Sequence, residues 1–117
     1  MKIVKMSKVP KESFVDPVFT GSEVTKQLLT PGSKEFSVVL VNFGKGIRAK
    51  LHTHDADQIL IVTAGKGLVG TEKEEKMVTA GDVVLFHAGE KHWHGATEDS
   101  EFSHIAVVKI GSGIKIV

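Results

Sequence analysis

Two histidines separated by a single residue, His52 and His54, begin the part of the sequence best suited to chemistry. On an extended strand, residues i and i+2 project from the same face, so these two imidazoles would lie side by side. Gln58 follows beyond the turn formed by Asp55–Asp57, which can bring its amide back toward that face. Imidazole nitrogen binds Mn, Fe, Co, Ni, Cu or Zn, and an amide oxygen is a weaker, harder ligand. These residues predict part of a metal site.

A fourth candidate ligand, His92, lies far along the chain from Gln58. It could join the others only if the sheet closes on itself and brings distant strands together. Three nitrogens and one oxygen would leave coordination positions open, which is typical of a reactive metal site and not of a closed structural one. The alternative is a set of unrelated core or surface histidines. A second H-x-H pattern at 92–94 and glycines at matched distances argue against that alternative.

Two further histidines, His94 and His104, could act on a substrate. In the predicted strand Glu101–Ile110, residues 102, 106 and 108 are Phe, Ala and Val, so His104 should face the interior with them. A neutral imidazole near pH 7 is the usual general base, although a buried histidine bonded to a backbone carbonyl would fit the pattern too. If His92 points inward, alternation turns His94 inward as well and Trp93 outward. His94 could then bond substrate, orient another ligand or cap the interior.

The elements that must position these residues are short β-type runs separated by glycine turns, and no segment has a helical period. Such a pattern predicts an all-β sandwich or barrel. Residues 64–67 are predicted to be a turn and Glu72–Glu75 a hairpin tip. The predicted strands are Val24–Leu29, Ser37–Phe43, Gln58–Thr63, Leu68–Thr71, Lys76–Thr79, Asp82–Phe86 and Glu101–Ile110.

The composition excludes several classes of function. The 117 residues fit one domain, and a net charge of +1 gives no electrostatic reason to expect nucleic acid or an anionic membrane as a partner. The absence of cysteine excludes disulfides, thiolate metal sites and cysteine nucleophiles. No apolar run is long enough for a signal peptide or a membrane span. A cytoplasmic protein is the default expectation, and the candidate metal site adds the expectation of a small-molecule substrate.

Two stretches carry a resemblance to a known family. The segment from Gly46 through the H-x-H pair and Gln58 to Gly65 resembles the first cupin motif, and the segment from Gly81 to His92 resembles the second. The resemblance covers about residues 36–110 and implies the cupin double-stranded β-helix, a jelly-roll barrel. Residues 36–117 would form this barrel, and residues 1–35 would add N-terminal strands and loops to the same domain.

The sequence departs from the usual cupin pattern at three positions. Gln58 replaces the common Glu, His87 replaces Pro and is predicted to be a turn residue, and Ala96 replaces Asn. The glutamine leaves a divalent ion and its protein ligands at about +2, where a glutamate would give about +1. A neutral set of ligands favours Lewis-acid chemistry over redox cycling.

A closer resemblance is to small bacterial cupins related to manganese hydroxynitrile lyases. It implies that three histidines and one glutamine hold the metal, here His52, His54, Gln58 and His92. Manganese is the first expectation, with iron, nickel, cobalt or zinc as alternatives. The resemblance also implies an acid–base role for His104 and a place for His94 near the pocket. Val39 and Val41 would line that pocket.

Three functions follow from these expectations. The first is reversible C–C cleavage or addition at a carbonyl, as in cyanohydrin cleavage, an aldol-like step or an isomerisation, in which the metal polarises an oxygen and His104 moves a proton. The second is a metal-dependent dioxygenase, against which the missing glutamate at Gln58 argues mildly. The third is a non-catalytic cupin that binds a small molecule. A homodimer is expected in each case, with the N-terminal segment pairing with a neighbour's sheet edge.

Overall fold

Ten strands and one short 3₁₀ turn make up the fold in this computed structural model, which describes residues 1–117. Every strand pair is antiparallel, and the 3₁₀ turn covers Met6–Lys8. The all-β prediction is confirmed. The strands are β1 (Glu12–Ser13), β2 (Val24–Leu28), β3 (Phe36–Phe43), β4 (Arg48–His54), β5 (Gln58–Thr71), β6 (Glu75–Thr79), β7 (Val83–Phe86), β8 (His92–Ala96), β9 (Phe102–Lys109) and β10 (Ile114–Ile116).

The strands follow one hydrogen-bonded path, β1-β2-β3-β9-β5-β8-β4-β10, and β6 and β7 also pair with β5. The first part of β5 pairs with β7 and β9, and its second part pairs with β6 and β8. The sheet therefore curls over on itself around β5. A bridge between Phe19 and Ala49 joins the segment after β1 to β4. This closure places β4, β8 and β9 around one interior.

The predicted turn at residues 64–67 is wrong, because β5 runs through it as one strand of 14 residues. Its register against β9 shifts just after Val62, and Gly65 has a φ of 76°. A side chain at Gly65 would clash with the backbone carbonyl of Glu101. The glycine thus serves as a bend within a strand, where it lets one strand cross from one half of the barrel to the other.

Most other predicted strands appear within one residue of their expected ends. The strand predicted at Ser37–Phe43 begins at Phe36, and the one predicted at Glu101–Ile110 is trimmed at both ends to Phe102–Lys109. The short edge strands β1 and β10 were not predicted. Each has three residues or fewer, too short to show an alternating pattern.

The interior holds a cluster of buried apolar residues beside the histidines. The apolar cluster comprises Val24, Val41, Phe43, Leu60, Val62, Val69, Val78, Phe86, Ala96 and Phe102.

The N-terminal segment around Val9 lies against the outer face of β2, where the amide of Gln27 donates to the Val9 carbonyl oxygen at 2.7 Å and accepts from Asn42 at 3.0 Å. The structure contains no helix with the length and apolar character that crossing a membrane requires.

Candidate metal centre and its cavity

Three of the four predicted ligands meet inside the barrel. His52 and His54 lie on β4, and the β4–β8 register sets His52 opposite His92. One ring nitrogen from each of the three histidines lies within 4.8 Å of the others. His52 is 2% exposed and His92 is fully buried. Closure of the sheet therefore brings β8 beside β4, so His92 joins His52 and His54 although it lies far from them along the chain.

Gln58 lies beside this cluster. It is the first residue of β5, and its Oε1 is 3.2 Å from Nε2 of His92. The side chain is 6% exposed. The turn at residues 55–57 returns the chain toward the cluster, as the sequence predicted. All four predicted ligands thus lie together.

Backbone carbonyls fix the orientation of two of the rings. His52 Nδ1 lies 2.5 Å from the Lys50 carbonyl oxygen, and His92 Nδ1 lies 2.9 Å from that of Glu90. A carbonyl oxygen can only accept, so both rings carry their proton on Nδ1 and keep Nε2 free as a donor to a metal. His54 Nε2 is buried with no hydrogen-bond partner. These imidazole nitrogens and one amide oxygen fit a divalent metal ion.

The electrostatics also suit metal binding. Burial, and after it the neighbouring His52, lowers the pKa of His54 to about 4, although Asp55 opposes the change. Burial likewise lowers the pKa of His92 to about 4, although its bond to Glu90 opposes the change. The pKa of His52 is also lowered by burial. All three imidazoles are therefore neutral at pH 7, as metal ligands must be.

A second histidine pair, His94 and His104, lies beside the cluster. Their ring centroids are 5.0 Å apart in an edge-on arrangement, and His94 is 5.5 Å from the His52 ring. Neither nitrogen of His104 has a hydrogen-bond partner, and His94 Nδ1 has none. Burial lowers the pKa of His104 to about 4, and it lowers the pKa of His94 well below its ordinary value. Buried polar atoms without partners are rare in folded proteins and mark a place where a ligand can bind.

His52 and His54 of the cluster and the pair His94 and His104 line one cavity of about 340 Å³, and His92 lies behind its wall. Val39 and Val41 lie in its wall, as do Gln58, His94 and His104. The remaining wall residues are Phe14, Asp16, Val18, Phe19, Lys26, Ser37, Phe43, Ala49, His52, His54, Ala106, Val108, Ser112 and Ile114.

Sequence reasoning missed the contribution of the two chain ends to this cavity. Phe14, Asp16 and Lys26 come from the N-terminal segment, and Ser112 comes from the turn before β10. The only available signal was at Lys26, which shares the parity of the apolar Val24 on β2. The contributions of the loop residues depend on long-range pairing, such as the Phe19 bridge, that leaves no periodic pattern in the sequence.

The outward-facing residues are placed as alternation predicts. Trp93 is half-buried on the outside of β8, where Arg48 stacks 4.8 Å from its ring centroid. His87 is exposed in the turn after β7, and its backbone N–H donates to the Glu90 carboxylate at 3.1 Å. Neither His87 nor Arg48 contributes to the cavity wall.

The fold and the histidine cluster define a β-barrel protein with a candidate metal site inside the barrel. Residues 28–108 match the family model described as the cupin domain Cupin_2. The chain therefore belongs to the cupin family, and the family resemblance of the two motifs is confirmed.

Relatives of known structure or activity agree with this assignment. The chain is 47% identical over 96 residues to an (R)-mandelonitrile lyase from Granulicella tundricola, a match that covers 80% of this chain and 65% of that enzyme. A cupin-like protein from Thermotoga maritima is 32% identical with a TM-score of 0.82, over 90% of this chain and 83% of that one. The polyketide cyclase RemF from Streptomyces resistomycificus has a TM-score of 0.89 over 100% of this chain and 85% of its own, and at 18% identity it shows the fold alone.

Proposed function

We propose that this protein is a metal-dependent lyase that cleaves a cyanohydrin reversibly into a carbonyl compound and hydrogen cyanide. The observation that carries the proposal is the placement of His104, a buried neutral imidazole with two unpartnered nitrogens, in the wall of the cavity that His52, His54 and Gln58 also line. The similarity to an (R)-mandelonitrile lyase supports the choice of reaction. We also propose manganese as the metal, on the basis of the three-histidine, one-glutamine donor set.

The reaction needs a proton acceptor in a dry site. The ion held by His52, His54, Gln58 and His92 would supply Lewis acidity at the substrate oxygen. His104 takes the hydroxyl proton of the cyanohydrin as the oxygen becomes a carbonyl. The carbon–cyanide bond breaks and its electron pair leaves with cyanide. His104 then returns the proton to cyanide, which leaves as hydrogen cyanide.

His94 is proposed to position the substrate between the two groups. Its ring lies 5.0 Å from His104 and 5.5 Å from His52, and its Nδ1 has no protein partner. Phe43 packs 5.6 Å from the His104 ring and 5.9 Å from the His94 ring. This packing keeps water from the pair and holds both rings in place.

The test is the cleavage of (R)-mandelonitrile by protein loaded with manganese, followed by the absorbance of benzaldehyde. His104→Ala should keep its metal, measured by mass spectrometry, because it is not among the proposed ligands. Its turnover should fall by about 10²–10⁴-fold, the usual range for loss of a general acid or base. His87→Ala is the matched control, since this exposed histidine lies outside the cavity.

Two results would overturn the proposal. Loaded protein that cleaves neither (R)-mandelonitrile nor a carboxylate-bearing analogue of it is not this lyase, and oxygen uptake under the same conditions would favour a dioxygenase. If His104→Ala turned over at the wild-type rate, the histidine would be structural and the proposed mechanism would be wrong.

A further inference from the structure

A lysine faces the same cavity. Lys26 lies on β2 opposite Val41 of β3, and Val41 in turn lies opposite His104 of β9. These three residues therefore form one row across three adjacent strands, with all three side chains in the cavity wall. The row places Lys26 two strands from the proposed acid–base residue, with Val41 between them.

The ammonium group of Lys26 has no anionic partner in the protein. Its Nζ lies 4.5 Å from the ring centroid of Phe14, and the residue is half-buried. The salt bridges of the structure involve other lysines, namely Lys66, Lys76 and Lys91. An ammonium group carries three N–H donors, and an aromatic face satisfies none of them as a hydrogen-bond acceptor would.

The one carboxylate in the cavity wall does not meet this need. Asp16 forms no salt bridge with Lys26, and its Oδ1 instead accepts a hydrogen bond from the Val18 backbone N–H at 2.9 Å. That bond stabilises the negative charge of Asp16 within its own turn. The Lys26 ammonium therefore lacks a hydrogen-bond acceptor. An anionic acceptor would form the strongest bond with it.

We propose that Lys26 binds the carboxylate of the substrate, and that the substrate is a carbonyl compound, or its cyanohydrin, that carries an acid group. This inference rests on the proposed function, because it assumes that the reacting carbon lies beside His104. Lys26 would act as a specificity-determining residue and would take no part in bond breaking.

The geometry also limits where the acid group lies on the substrate. Lys26 and His104 are two strands apart, which corresponds to about 10 Å between their backbones. The Lys26 ammonium leans over Phe14, at the N-terminal side of the cavity. An acid group separated from the carbonyl by a spacer fits this separation better than one on the adjacent carbon. An aromatic aldehyde with a carboxylate across the ring has a suitable length.

The experiment compares two probes of matched shape, 4-formylbenzoate and its methyl ester, by titration calorimetry on the metal-loaded protein. The acid should bind more tightly than the ester. Lys26→Met should weaken binding of the acid by about 10- to 100-fold and leave the ester unchanged, since it removes one charge-assisted hydrogen bond. Lys26→Arg should restore most of the affinity. Lys45→Met is the control, because it removes the same charge from an exposed turn outside the cavity.

Equal binding of the two probes, no binding of either, or the same affinity for the acid in Lys26→Met and Lys45→Met would each overturn the inference. The readout does not depend on turnover. A protein that failed to cleave cyanohydrins but lost affinity for the acid in Lys26→Met alone would refute the proposed reaction and still support the role of Lys26.

Discussion

Acid should destabilise the metal-free protein through His104. Burial lowers the pKa of this group to about 4, against an ordinary value of 6.5. Between these two values the unfolded chain takes up a proton at this site and the folded chain does not. The contribution of this site to the free energy of unfolding is therefore fully present above about pH 6.5 and is lost as the pH falls toward about 4.

The size of the effect follows from the two pKa values. Their separation corresponds to about 3 kcal/mol when the loss is complete, of which about 2 kcal/mol is lost at pH 5. His104 is 1% exposed, so solvent screens little of this cost. A loss of this size is a large fraction of the stability of a typical small domain.

The assay is urea unfolding of chelator-treated protein at about pH 7.5 and about pH 5, at one protein concentration. The wild type should lose about 2 kcal/mol more between the two conditions than His104→Leu, which cannot take up the proton. His87→Leu serves as the control and should match the wild type, because the His87 side chain is exposed in the folded chain. Equal losses in the wild type and His104→Leu would refute the reasoning.

Three further predictions concern the metal, its glutamine ligand and assembly. His52→Ala or His92→Ala should each lose most bound metal on dialysis, measured by mass spectrometry, and full occupancy in both would contradict the ligand assignment. Gln58→Glu should bind metal more tightly because it adds a negative charge, and cyanohydrin cleavage should fall because Lewis acidity falls; faster cleavage with weaker binding would contradict the charge argument. Leu85→Lys, on the apolar outer face, should shift the mass in light scattering from the expected dimer to a monomer; a wild-type monomer at micromolar concentration would contradict the expectation.

The dimer prediction rests on a specific surface. The outer face of the strands β3, β9, β5 and β7 carries two adjacent rows of apolar residues in register. Val83 is 65% exposed and Leu85 is 49% exposed, with no covering segment from the same chain. The short edge strand β1 pairs with its own β2, so this face is a better candidate than the edge pairing expected from the sequence. The two rows are Leu40, Ile105, Ile61, Val83 and Val38, Val107, Ile59, Leu85.

The sequence was sufficient where the relevant geometry is local. Alternation along β4 and β8 predicts which side chains share a face, and the structure places His52, His54, His92 and His94 accordingly. The parity of β9 similarly predicts an inward His104. Periodicity of two residues is a property of any extended strand, so these predictions needed no knowledge of which strands pair.

The sequence was insufficient where the geometry depends on pairing between distant segments. In the sequence, a glycine in a turn cannot be distinguished from a glycine in a bent strand. Only the close approach of Glu101 to Gly65 shows that this glycine bends a continuous strand. Alternation with Val24 indicates an inward Lys26, but its place in one row with His104 follows from the β2–β3 and β3–β9 registers. Register is set by the whole set of contacts across the sheet, which a single strand does not encode.

The same burial that suits these histidines to chemistry also limits the stability of the fold. Desolvation keeps His54, His92 and His104 neutral at pH 7, which both a metal ligand and a general base require. Leucine at these positions would leave no unpartnered nitrogens, and the fold would not lose stability there at low pH. Packing alone therefore does not account for so many buried imidazoles in one part of the barrel, whereas the proposed ligand binding and proton transfer would account for them.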